Sequence, residues 1–376
     1  MSNDDELGHM IRLNPGRFDG LISRLEDNWR NGPPYGPLRP LSSIYGAIAA
    51  FRRNFYNKLF KAGLAEKPVI SLGNLTVGGS GKTPLCLALA RLLLNKGLSP
   101  AILSRGYGRK TSASFSLPLI VSDGQGPEVP PLESGDEPWL MASQLPEAKV
   151  VVDADRLRAA KAAVDLLGAD ILLLDDGFQQ LKLHADCRIL LVPAHNPFGN
   201  GAVLPAGPLR ERLEANRLAH ILVSTGAERP SAEAAELAGD RPVFAAEYHS
   251  LGWQQLGRDS LLPLTALEGS RVMAFCGLGR PDNFKKSLTR AGVDLCRFVA
   301  LKDHQVYHGS LLERLKLEYQ ASGAELLVTT AKDAVKLPPD FPLPVMILQI
   351  EMRLNQPDEF LEAVLRQACH RFENLQ

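Results

Sequence analysis

The run Thr76-Val77-Gly78-Gly79-Ser80-Gly81-Lys82-Thr83 combines glycines, a lysine and a hydroxyl at the spacing of a phosphate-binding loop. Glycines let a backbone close around phosphate oxygens with successive N–H groups turned inward, and a helix opening directly afterwards adds its positive end. In that frame Lys82 reaches the β- and γ-phosphates of ATP, and the Thr83 hydroxyl ligates Mg2+. The strict pattern has Gly where Thr76 stands, and a Gly-rich turn beside a lysine does not by itself require a nucleotide. The context favours the cradle: the apolar run Val69-Ile70-Ser71-Leu72 precedes it, and a helical pattern from Leu85 follows, with Pro84 tolerated at an early helical position. The signature lysine of dimerising partition-type ATPases is replaced by Val77, which argues against that class.

Carboxylates come next. Ile171-Leu172-Leu173-Leu174-Asp175-Asp176 is an apolar run ending in two acids, the shape of a Walker B strand. A buried parallel strand delivers such acids to the edge of the sheet, where Mg2+ needs oxygen ligands. The same pair also suits a plain helix cap. Gly177-Phe178-Gln179-Gln180 continues the edge loop with polar groups for a substrate. Gly135-Asp136-Glu137-Pro138 opens an apparent helix, where acids are commonly capping residues. Phosphoryl transfer to an alcohol, however, needs a carboxylate to receive the hydroxyl proton. With the Walker acids assigned, Asp136 and Glu137 are the remaining candidates. Ser104-Arg105-Gly106-Tyr107-Gly108-Arg109 and Asp153-Ala154-Asp155-Arg156 each follow an expected strand. A single arginine is usually a solvated charge, but several on one sheet edge suit an anionic substrate.

These loops must be positioned by an alternation of strands and helices. Expected strands are 68–72, 100–103, 150–152, 170–174 and 187–192, with helices at 85–96 and 156–167 between them. That alternation predicts βαβ units and a parallel sheet covered on both faces. The fold class expected is therefore α/β: a P-loop-containing α/β/α domain plus a second, smaller α/β/α domain. The second strand series is 218–224, 243–246, 271–276, 325–329 and 344–350. The Pro/Gly-rich segment 193–208 suggests the boundary, giving an arm at 1–40, a kinase-like domain at 41–206, a smaller domain at 207–350 and a C-terminal helix at 351–376. Gly277-Leu278-Gly279 looks like a dinucleotide loop, but Arg280-Pro281 breaks the pattern, so no dinucleotide cofactor is expected.

Residues 42–61 read as a helix, with Ile44, Ile48, Phe51, Phe55 and Leu59 recurring at spacings of three and four. Either this stripe packs on the core, or it enters a bilayer surface while Arg52, Arg53, Lys58 and Lys61 meet anionic headgroups.

Composition sets the outer bounds. The 376 residues carry 42 Lys plus Arg and 42 Asp plus Glu, so the net charge is zero and nucleic acid is not an expected partner. Five scattered cysteines without C-x-x-C spacing suggest reduced thiols, not a zinc site. The acidic start, Met1 to Glu6, has no apolar signal, and the charge-free stretch 189–209 is interrupted by four prolines. A cytoplasmic protein is expected. No N-K-x-D run reads guanine, which counts against a G-protein switch.

Taken together, the motifs resemble the tetraacyldisaccharide 4'-kinase family of lipid A biosynthesis. The matching segments are GNLTVGGSGKTP from Gly73, SRGYGRK from Ser104, GDEPWL from Gly135, DADR from Asp153 and LLDDGFQQLKL from Leu173. Further segments are GPLRE from Gly207, FCGLGRPDNF from Phe275, DHQVY from Asp303 and TTAKDAVKL from Thr329. The resemblance implies a peripheral kinase on the cytoplasmic face of the inner membrane. Its expected substrates are ATP with Mg2+ and a tetraacyldisaccharide 1-phosphate glycolipid, whose 4'-hydroxyl gains the γ-phosphate. It further implies Asp136 and His304 as a pair activating that hydroxyl, and Asp175, Asp176 and Glu211 near the metal and nucleotide. Asn74, Tyr107, Arg156 and Gln179 match positions on the substrate side.

Overall fold

The computed structural model describes residues 10–12, 25, 28–30, 32–59, 62–107, 109, 117–303, 305–338 and 340–373. The chain divides into two compact units. The larger comprises residues 21–247 and 352–376, and the smaller comprises 1–20 and 248–351. The boundary expected after residue 206 falls inside the larger unit, because two further parallel strands beyond it join the same sheet.

A three-residue strand, β1 (Met10–Arg12), belongs to the smaller unit. The larger unit opens with helix α1 (Arg39–Leu59), followed by β2 (Val69–Gly73) and α2 (Lys82–Asn95). Next come β3 (Pro100–Ser104), β4 (Leu119–Asp123), α3 (Pro131–Ser134), α4 (Asp136–Gln144) and β5 (Lys149–Val152). The series continues with α5 (Arg156–Asp165), β6 (Ile171–Leu174), β7 (Cys187–Pro193), β8 (Ile221–Thr225), α6 (Ala232–Ala238) and β9 (Val243–Gln255), whose residues up to Glu247 belong to this unit. The strands lie in the order β9-β8-β7-β2-β6-β3-β5-β4. All neighbours are parallel except the edge strand β4, which runs antiparallel to β5.

The expected near-continuous apolar runs follow from burial on both sheet faces. Strands β2 and β3 are buried at every position, and so is β6. On one face Val69, Leu103, Val151, Leu172 and Leu174 meet Ala159, Ala160 and Ala163 of α5. The alanines allow close helix–sheet approach. The C-terminal helix (Pro357–Glu373) belongs to this unit too, anchored by Arg371, which donates to Asp186 (2.6 Å) and to the carbonyl of Ala65 (3.0 Å).

In the smaller unit the short strand β10 (Leu261–Leu262) pairs antiparallel with Trp253 and Gln254, and β11 (Arg271–Cys276), β12 (Asp294–Ala300), β13 (Leu326–Thr330) and β14 (Val345–Leu354) form a parallel series in the order β1-β12-β11-β13-β14. The period of two is visible in its packing. Val272, Ala274 and Cys276 face one cluster with Phe284 and Leu288, while Met273 and Phe275 face the other with Leu311 and Leu315. This is the smaller α/β/α unit anticipated from the strand–helix alternation.

Candidate active site

The loop from Asn74 to Gly81 joins β2 to α2 at the C-terminal edge of the larger unit's sheet. Gly78 (φ +101°) and Gly81 (φ +84°) take backbone angles that side chains disfavour, and a Cβ at Gly78 or Gly79 would meet nothing within 4 Å. The space in front of the loop is therefore open. Thr76, where the strict motif has Gly, is extended and bridges Leu209, so no glycine is required there. The Pro/Gly-rich segment read as a boundary is the outer wall of this loop. Val77 donates to the carbonyl of Pro208 (2.8 Å), and the Arg210 N–H donates to the carbonyl of Leu75 (2.7 Å).

Asn74, expected on the substrate side, is fully buried and works inside the loop. Its Nδ2 donates to the Thr76 carbonyl (2.8 Å) and hydroxyl (3.1 Å), while its Oδ1 accepts from Lys82 Nζ (3.2 Å). Gln179 donates to the Asn74 carbonyl (2.9 Å), tying the loop after β6 to the phosphate loop. Lys82 also lies 3.6 Å from Asp176, which accepts two bonds from Arg210 (2.9 and 3.1 Å). Ser80 Oγ is buried without a hydrogen-bond partner, and its carbonyl accepts from the Thr225 hydroxyl (3.0 Å).

The two adjacent acids differ sharply. Asp175 is buried, and its Oδ1 has no hydrogen-bond partner. Burial, joined by the charges of Glu137 and Asp176, pushes its pKa up to about 7, against Lys82 and Arg156. For Asp176 burial also opposes ionisation, but Lys82 and Arg210 outweigh it and hold the carboxyl below its ordinary range. An orphaned buried carboxylate oxygen is what a hard cation would satisfy. The donor set thus fits Mg2+: Asp175 at the end of β6 and the Thr83 hydroxyl in the first turn of α2. Among the described residues no group of three or more acids, histidines or cysteines forms a closed metal cage. Mg2+ in phosphoryl-transfer sites is ordinarily completed by substrate phosphates and water. Glu211, expected near the metal, instead forms an ion pair with Arg53 of α1.

The remaining loops converge on this edge. Arg109 donates to the Glu133 carbonyl (2.8 Å), and a Cβ on Gly135 would come within 2.9 Å of the Tyr107 carbonyl. Tyr107 and Arg109 thus lie against the start of α4, where Asp136 and Glu137 occupy the first turn. Arg156 is buried, with its pKa lowered by burial and by Arg105, while Asp175, Asp153 and Asp176 pull the other way. Asp153 is fixed by Arg158 (2.6 and 2.8 Å). A cavity of about 290 Å³ opens between α1 and the phosphate loop, lined by residues including Tyr45, Arg52, Val77, Gln179 and Arg210. His304 lies outside the described residues.

A family model for tetraacyldisaccharide-1-P 4'-kinase matches residues 36–369. The chain belongs to the tetraacyldisaccharide-1-P 4'-kinase family. It is 39% identical over 350 residues to the tetraacyldisaccharide 4'-kinase of Syntrophus aciditrophicus, covering 88% of this chain and 93% of that one. With the Geobacter metallireducens enzyme of the same name the identity is 42% over 306 residues, covering 80% and 88%. Among solved structures, LpxK from Aquifex aeolicus in complex with ATP superposes with a TM-score of 0.71 at 34% identity, over 88% of this chain and 98% of that one.

For this tetraacyldisaccharide 4'-kinase family member, the kinase fold class and the loop-by-loop order of motifs agree with the sequence reading. Arg53, expected to meet anionic headgroups, is instead buried and paired with Glu211, because nothing in a helical stripe marks an inward-facing arginine. The role of Arg210 was not anticipated, since it was visible only as part of a matching run.

Proposed function

We propose that the chain transfers the γ-phosphate of ATP to the 4'-hydroxyl of a tetraacyldisaccharide 1-phosphate, producing the bisphosphorylated lipid A precursor. One observation carries this: a phosphate loop whose lysine is held between Asn74 (3.2 Å) and Asp176 (3.6 Å), beside an unpartnered Asp175 oxygen. The backbone of residues 76–81 cradles the phosphates, and Lys82 exchanges its carboxylate partner for phosphate oxygens as charge spreads over them. Mg2+, held by Thr83 and Asp175, would neutralise charge on the β- and γ-oxygens. Asp136, at the start of α4, receives the hydroxyl proton, with His304 as the imidazole serving the same transfer. Arg156, Tyr107 and Gln179 stand toward the acceptor, and the cavity between α1 and the phosphate loop, lined by Tyr45, Arg52 and Val77, gives it room.

The outer face of α1 supports a peripheral position on the inner membrane. Among the described residues no helix is long and apolar enough to cross a bilayer. Yet Ile44, Ile48 and Phe51 of α1 are 56%, 61% and 68% exposed, and an acceptor whose four chains stay in the bilayer must be met at its surface. The deciding experiment is mass spectrometry of a tetraacyldisaccharide 1-phosphate after incubation with ATP, Mg2+ and the protein. A gain of one phosphoryl group at the 4'-position is expected. An unchanged acceptor, with ATP binding intact, would overturn the assignment.

A further inference from the structure

Two residues of the N-terminal arm, Trp29 and Arg30, hold the wall of the phosphate loop from outside. The Trp29 indole N–H donates to the Pro205 carbonyl (3.1 Å), and the Trp29 carbonyl accepts from the Asn200 N–H (2.8 Å). Asn196 Nδ2 donates to the Arg30 carbonyl (2.6 Å) from a backbone at φ +49°, which asparagine tolerates better than most residues. Gly199, at φ +56°, has no room for a side chain: a Cβ there would run into the Trp29 carbonyl and lie 2.8 Å from Pro208 Cγ. Asn200 closes the turn behind these contacts, donating through Nδ2 to the Ala206 carbonyl (2.9 Å) and accepting from the Ala202 N–H (3.1 Å).

At Pro208 the wall meets the loop. Its carbonyl takes the Val77 N–H, Leu209 bridges Thr76, and the Arg210 N–H reaches the Leu75 carbonyl. Consecutive loop residues therefore hang on 208–210, and the other side of that wall rests on the arm. The loop needs such support. Its glycines give it more backbone freedom than other residues would, and a Cβ at Gly78 or Gly79 would meet nothing within 4 Å, so no packing from the front restrains it. A loop already held in its binding conformation loses less entropy when the nucleotide arrives. We infer that Trp29 and the backbone of Arg30 form a strap that positions the phosphate loop for ATP. Both residues precede the family-matched stretch 36–369. The inference rests on the loop being the ATP site.

Trp29→Phe tests it by keeping an aromatic ring in place while removing the N–H. In calorimetric titration with ATP and Mg2+, Kd should rise about three- to tenfold, the worth of one hydrogen bond. Asn196→Ala, which releases the Arg30 carbonyl, should raise Kd by a similar factor. The KM for ATP should rise in step, while kcat at saturating ATP falls less than about twofold and the melting temperature stays close to wild type. Without ATP, amide hydrogen exchange should quicken in peptides spanning 74–83 and stay unchanged in peptides spanning β3 and β5. Wild-type Kd in both variants, or exchange at 74–83 that is no faster, overturns the inference. An absence of ATP binding by the wild-type chain would instead overturn the assignment of the loop, and the strap's role with it.

Discussion

Asp175 ends β6 with one oxygen unsatisfied, and its pKa of about 7 arises from burial beside Glu137 and Asp176. Between the ordinary carboxylate value of 3.8 and about 7, the folded chain holds a proton here that the unfolded chain has released. Stability contributed by this group therefore falls as pH rises through that window and stays low above it. Asp175→Asn removes that cost. The metal-free variant should melt higher than wild type at pH 8, by the equivalent of on the order of 2–4 kcal/mol, and the two should converge near pH 4. Turnover should nevertheless collapse, because the amide cannot serve the cation. A variant less stable than wild type at pH 8 would contradict the buried-charge account. Lys82→Ala should lower kcat by at least about 10²-fold, the usual worth of one donor aimed at developing charge. Near wild-type kcat in the purified variant would refute the cradle. The motif residues were legible in the sequence because loop chemistry depends on local order. The roles of Asn74 and Arg210 were not, because both depend on which segments the fold brings beside the loop.

Helix α1 shows the same division at the scale of an element. Its 3.6-residue period is plain in the sequence, but the period does not say which face turns inward. Packing decides: Ser42 donates to the Val203 carbonyl (2.7 Å), Gly46 admits Val203 and Arg212 closely, and Arg53 pairs with Glu211. The small and polar face is thus docked, and the stripe with Ile44, Ile48, Phe51 and Phe55 is left outside, with the two phenylalanine rings 5.8 Å apart. Opposite faces should then fail differently. Phe51→Ser/Phe55→Ser should lose co-sedimentation with anionic vesicles while its melting temperature is unchanged, since burying each ring in lipid contributes about 1.5–3 kcal/mol and its exposure costs the fold nothing. Arg53→Ala should instead destabilise the protein by about 3 kcal/mol, leaving Glu211 buried without its cation. A large drop in melting temperature for the phenylalanine variant would place that stripe in the core. Among the strands that escaped the sequence reading, two did so for a related reason. Edge strand β4 and strand β12 are only partly buried, so Asp294, Arg297 and Asp123 interrupt the apolar runs that marked the central strands.

Across the whole molecule, the order of motifs and the α/β class were readable, but the division into units was not. Proline and glycine between residues 193 and 208 looked like a linker, whereas they shape a loop bonded to the phosphate loop through Val77 and Leu75. The smaller unit's 248–351 is an insertion: the chain leaves the larger unit after Glu247 and returns at Met352. Near these points Ala245 and Asn355 exchange hydrogen bonds, Ala245 N–H to Asn355 Oδ1 (3.0 Å) and Asn355 N–H to the Ala245 carbonyl (3.0 Å). The two chain ends are therefore close enough for a short flexible linker to join them. Beyond the return point, Phe360 packs edge-on against Phe244 with centroids 5.4 Å apart, and Val364 and Ala368 are fully buried. Replacing 248–351 with a Gly-Ser linker should leave a chain that melts cooperatively and binds ATP, measured by calorimetry, because residues 74–83, 175–176 and 210 all stay in place. Phosphoryl transfer should vanish with the loss of the 303–307 segment. Ending the chain at residue 351 should do the reverse of what its modest length suggests: it removes the C-terminal helix from the larger unit's core, exposes the surface under Phe360 and Val364, and should give an insoluble product. A soluble, ATP-binding truncation at 351 would show that the C-terminal helix is dispensable to the larger unit's core, and an insertion-free chain that fails to fold would show that residues 248–351 are not a module set into that unit.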